Sequence, residues 1–160
     1  MAGLEPAALA CLERTRAVVM NILVAAACGI GISGLVLRWR DRTALLRTSE
    51  GTRQALLGAL FVLIVASFLW KRIDAGRGAL RDPSRRAARF FRAHVIAALL
   101  GALAVPLGLV YGWIARPRLD AVAPFWVAAL ALGFLALPRA HELDGFDAPL
   151  LDRKESDPQA

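Results

Sequence analysis

The side chains able to do acid/base or metal chemistry are few. His94 and His141 are the only histidines, and Glu142, Asp144 and Asp147 follow the second of them closely. Imidazoles beside carboxylates can relay a proton or hold a divalent cation. Joined by Asp74 and Asp82, His94, His141 and Glu142 could serve as acid/base groups acting on lipid headgroups at a membrane surface. The spacing points away from a built metal centre. It matches no zinc ligand pattern, haem between helices requires deeper histidines, and Asp144-Gly-Phe-Asp147 lacks the ligand order of an EF-hand loop. No metal and no cofactor is expected.

A second pattern is Gly29-Ile-Gly31-Ile-Ser33-Gly34, which fits G-x-G-x-x-G. Dinucleotide binding by this motif needs a strand, a tight turn and a helix whose N-terminus meets the pyrophosphate. Here the glycines lie inside an unbroken apolar run, so helix packing or a local bend is the expectation. No P-loop, G-x-S-x-G, H-E-x-x-H or kinase pattern occurs. Cys11 and Cys28 are the only cysteines, too few for a disulfide framework or a paired-cysteine metal site.

The elements that would position these groups follow from hydropathy. The chain has 160 residues, 58% of them hydrophobic, and a mean hydropathy of +0.52, too apolar for an ordinary soluble domain. Four apolar runs approach the length that crosses about 30 Å of hydrocarbon as a helix. They are Ala17–Leu37, a run ending at Trp70 whose helix starts near Ser49, Val95–Ala115, and Ala121–Leu137. In the second, Glu50 falls in the first turn and Arg53 can snorkel outward. Pro106 should bend the third and free the carbonyl near Ala102.

The expected architecture is all-α and polytopic, with four transmembrane helices (about 17–37, 51–70, 95–115 and 121–137). Residues 1–16 form an N-terminal tail, and 138–160 an acidic, disordered tail. A cleaved signal peptide is the rival reading of the first run. It is opposed by the length of the run and by Glu5 and Glu13 before it.

Charge then orients the bundle. Of the 20 Lys and Arg, the N-tail, the Lys71–His94 loop and the C-tail hold thirteen, and the two loops on the other side hold seven. The positive-inside rule puts both termini in the cytoplasm, against the discomfort of five arginines in the first outer loop. Trp39, Trp70 and Trp113 fall at span ends and Trp126 lies near one, as in aromatic belts. The five residues Arg116–Asp120 enforce a hairpin between the third and fourth spans.

A net charge of +7 would suggest nucleic acid in a soluble protein. Beside apolar spans it suggests anionic lipid, and no nucleic-acid partner is expected. Asp82-Pro83 opens a short basic helix leading into the third span. It carries Arg85, Arg86, Arg89 and Arg92, expected to contact anionic headgroups of a bacterial-type inner or plasma membrane. The C-terminal tail, net −3, could fold back on this basic loop or dock on a partner.

Small residues line two helices: Ala97, Gly101, Ala104, Gly108 and Gly112 in the third span, and Ala129, Gly133 and Ala136 in the fourth. Such stripes let backbones approach closely. Packing of these two spans on one another is the leading expectation, with homo-oligomerisation or docking on a larger membrane complex as the other. Asn21 is the only amide within a span and should face another helix or a cavity, whereas Ser33 and Ser67 can bond to their own helix backbones. No Asp, Glu, Lys or Arg lies deep in a span.

These features point to a small integral membrane protein without its own catalytic centre, an accessory, assembly or scaffold subunit of a membrane complex. A small oligomeric transporter or channel, with Asn21, Ser33 and Ser67 lining its path, is the alternative. A membrane-interface enzyme acting on lipid headgroups is the second.

Overall fold

A computed structural model describes residues 6–39, 50–76, 83–114, 119–139 and 142. Every regular element among them is an α-helix. The helices are α1 (Pro6–Trp39), α2 (Glu50–Gly76), α3 (Pro83–Ala102), α4 (Ala104–Ile114) and α5 (Leu119–Leu135). Three stretches are long and apolar enough to cross a membrane: Leu9–Trp39, Glu50–Ile73 and Ala87–Ile114. Leu119–Leu135 is a shorter apolar helix.

The expected tail 1–16 is helical from Pro6 onward. Over 34 residues, α1 extends about 50 Å, well beyond the hydrocarbon thickness. Its buried positions explain the extension. Leu12, Thr15, Val19, Leu23 and Ala26 recur every three or four residues, and half-buried Gly29 and Ile30 lead on to Ser33 and Leu37, so one stripe runs from the polar N-terminal part into the apolar part.

α3 and α4 form one span interrupted at Leu103. Pro106 has no N–H for the Ala102 carbonyl, and its ring crowds that turn. The bonds Leu103 N–H to Leu99 O (3.1 Å) and Leu107 N–H to Leu103 O (3.3 Å) carry the axis through the break.

Close contacts fix the helix directions. A Cβ on Gly101 would meet Leu132 Cβ at 2.7 Å, one on Gly108 would meet Phe125 Cβ at 2.8 Å, and one on Gly112 would meet Val122 Cγ2 at 2.8 Å. Each step up α3–α4 meets a step down α5, an antiparallel pair in near-backbone contact. α1 runs parallel to α4, with Gly29 against Val105 and Leu37 against Gly112, and antiparallel to α5, with Leu23 against Gly133. One core cluster includes Leu60, Ala104, Tyr111, Val122 and Phe125; a second joins Val19, Ala97, Ala98 and Ala136. α2 is the peripheral helix. Phe61 and Val62 are more than 60% exposed, a face suited to lipid.

Candidate functional site

The polar side chains converge where the last turns of α2 pass the middle of α3. His94 lies one turn after Phe90 on α3, between Ala93 and the buried pair Ala97 and Ala98, whose small side chains leave room for a ring. Only 1% of His94 is exposed. Its Nδ1 bonds Phe90 O at 2.8 Å, the rings of Phe90 and His94 lie 4.3 Å apart, and Nε2 meets Glu142 Oε2 at 2.8 Å.

Glu142 reaches this position because the end of α5 turns back. Leu137 N–H bonds Phe134 O at 3.2 Å, which tightens the last turn. Pro138 then stops the helix and is itself buried. Its carbonyl accepts from Arg16 Nε on α1 at 3.3 Å. Glu142 N–H donates to Arg139 O at 3.0 Å, closing a turn, and Arg139 N–H approaches Glu142 Oε2 at 3.4 Å.

Lys71, on the last turns of α2, completes the cluster. Its Nζ lies 2.9 Å from Glu142 Oε1 and donates to Leu135 O at 3.0 Å. The second contact places a cation on an end carbonyl of α5, where the helix dipole favours positive charge. Partial burial of Glu142 opposes its ionisation. The hydrogen bonds and charges of Lys71 and His94 outweigh that cost and hold the carboxyl below its usual range. Because a carbonyl can only accept, the contact to Phe90 O is made by the Nδ1–H of His94.

Beside this latch opens a cleft of about 330 Å³ lined by Ser67, Phe68, Lys71, Arg72, Leu132, Leu135, Arg139 and Glu142, among others. A second groove, of about 640 Å³, runs between α1 and α3 and includes Cys11, Arg14, Phe91, Arg92, Val95 and Ile96. Arg14 stacks over the Phe91 ring at 5.6 Å.

All eight small residues singled out in sequence are buried: Ala97, Gly101, Ala104, Gly108 and Gly112 on α3–α4, and Ala129, Gly133 and Ala136 at and just beyond α5. The three intramembrane polar residues are not brought together. Ser67 is buried and donates to Ala97 O at 2.9 Å, crossing to α3 rather than bonding its own helix as expected. Ser33 is buried on α1, toward its opposite end.

Asn21 departs most from expectation. Among the described residues no helix covers it; it is exposed on the outer face of α1, because the buried stripe of α1 passes through Val19 and Leu23 on the other side. Trp126 also differs from an interfacial tryptophan. Its indole lies against Gly34 and Gly108, and its Nε1 is buried without a hydrogen-bond partner among the described residues.

Arg89 is half-buried and Arg92 exposed; the side chains of Arg85 and Arg86 lie outside the described residues, as does that of Asp74. Asp82, His141, Asp144, Asp147 and the tail from 143 onward also lie outside them. Of the five acid/base candidates, the structure joins His94 and Glu142. Among the described residues no group of three His, Cys, Asp or Glu is placed to hold a metal ion.

Lys71 and Arg139 were missed by the sequence reading. The available signal was composition, since Lys71 is one of two lysines in a chain that otherwise uses arginine. A compact ammonium can serve two acceptors at once. No known protein family, curated protein or solved structure matches the chain.

Proposed function

We propose that the chain is a four-span integral membrane protein that acts as an accessory, assembly or scaffold subunit, docking through the outer face of α1. Asn21 carries this reading. An amide on a lipid-facing surface lacks hydrogen-bond partners, and in membranes such groups commonly bond across to another helix. Around it on the same exposed face lie Ala25, Cys28 and Gly31, small enough for a second backbone to approach. Space at Gly31 is open, with nothing within 4 Å of an added Cβ. The small stripe of α3–α4, by contrast, is already occupied by α5, so association must use another face.

α5 is the fourth span in this reading. Its antiparallel register against Gly101–Gly112 carries it through the same depth as the third, and both termini then share a side. Positive-inside charge makes that side the cytoplasm of a bacterial-type inner or plasma membrane, with Arg85, Arg86, Arg89 and Arg92 of α3 on anionic headgroups. The partner is a second copy or a larger membrane complex.

The enzyme alternative draws on the His94–Glu142 pair. It is the weaker reading, because both ring nitrogens of His94 are engaged and the ring is shut from the surface. Gentle extraction into nanodiscs followed by native mass measurement tests the proposal. The wild type should run as a stoichiometric assembly, and Asn21→Leu and Gly31→Leu should release it while keeping the helical content. A wild-type monomer, or variants that assemble as well as wild type, would overturn it.

A further inference from the structure

The cleft between α2, α3 and α5 joins two kinds of lining. Lys71, Arg72 and Arg139 place three cations at its polar end, against the single carboxylate of Glu142. Phe68, Leu132 and Leu135 form its apolar walls, and Phe68 and Leu135 are more than half exposed, open to the outside of the bundle. Among the described residues, neither the Arg72 nor the Arg139 guanidinium has an ion-pair partner. One anion already sits there, since Glu142 is held by Lys71 at 2.9 Å and by His94 at 2.8 Å.

A ligand matching this lining has a compact anionic head and an apolar tail. Its head would meet the guanidiniums, which bind phosphate by paired N–H donors, while its chain would lie along Phe68 and Leu135. We infer that this cleft is a binding site for the phosphate group of one anionic phospholipid, with Glu142 as the built-in anion that competes for its cationic end. The site differs from the general basic surface of α3, and it rests on the membrane reading above without requiring the accessory role.

The test is native mass spectrometry of the full chain reconstituted in nanodiscs of equal phosphatidylglycerol and phosphatidylcholine, counting lipid retained after release. Wild type should retain phosphatidylglycerol several-fold over phosphatidylcholine. The double variant Arg72→Gln/Arg139→Gln, which leaves the Lys71–Glu142–His94 contacts intact, should lose that preference, and Glu142→Gln should increase it. A control, Arg14→Gln/Arg38→Gln, removes equal charge from exposed positions of α1 outside the cleft and should keep the preference. Inorganic phosphate at millimolar concentration should not displace the lipid.

Equal retention of both lipids, equal loss in the control, or displacement by phosphate alone would overturn the inference. The last would identify the site as one for free phosphate. Circular dichroism of each variant separates loss of binding from loss of fold. Carbonate extraction separates failure of this site from failure of the membrane reading, since a chain that is not integral is released by it.

Discussion

Glu142 reaches back 48 positions to bond His94 at 2.8 Å, and in doing so ties the chain beyond α5 to the middle of α3. Lys71 on α2 takes the other carboxylate oxygen. One side chain thus joins three helices that also meet here through Ser67 on Ala97 O and Lys71 on Leu135 O. Replacing Glu142 by Gln keeps the shape but removes the charge from both contacts. The expected loss is about 1–3 kcal/mol, read as a lower thermal midpoint in detergent and faster proteolysis after residue 138.

The same contact sets a pH dependence. The folded-state value of the Glu142 carboxyl is lowered from its ordinary 4.5, so its contribution is fully present above that value and is lost as pH falls through the folded one. Thermal midpoints of wild type and Glu142→Gln should differ at neutral pH and converge in acid. A gap that widens on acidification would contradict the assignment.

Glycine substitutions should separate by helix face. At Gly101 and Gly108 an added Cβ meets Leu132 Cβ and Phe125 Cβ, atoms next to the backbone of α5. Ala at either should cost about 1–3 kcal/mol. At Gly133 the nearest atom is Leu23 Cδ1, which can rotate away, so Ala there should cost less. At Gly58 nothing lies within 4 Å, and Ala should stabilise α2 by up to about 1 kcal/mol. Thermal unfolding of the four single variants checks the order.

Reporter fusions at the two ends decide the span count by parity. Four crossings put both fusions on one side, with positive-inside charge making it the cytoplasm. Fusions on opposite sides would leave α5 as a helix that does not cross.

Much of the helical framework was legible because apolar length and small-residue spacing are local properties. The stripe from Ala97 to Gly112 could be read directly, since side-chain size at each position determines how near another backbone can come. Two features were not legible. Leu12 and Thr15 extend the buried face of α1 into a polar segment, and hydropathy averaged over that segment hides two positions in helical register with Val19. The Lys71–His94–Glu142 cluster depends on the turn after Pro138, a tertiary event that no local pattern encodes. A charge match between the acidic tail and the basic loop names no residues, and beyond Glu142 the tail lies outside the described residues. Asn21 stood out by the cost of an amide in lipid; its direction depends on which stripe of α1 is buried.

The central proposal is that a second helix covers Asn21. Native mass measurement on wild type and Asn21→Leu, extracted side by side, tests it most directly. A defined assembly for wild type and a helical monomer for the variant are expected. Wild type as a monomer, or identical assemblies for both, would contradict the proposal.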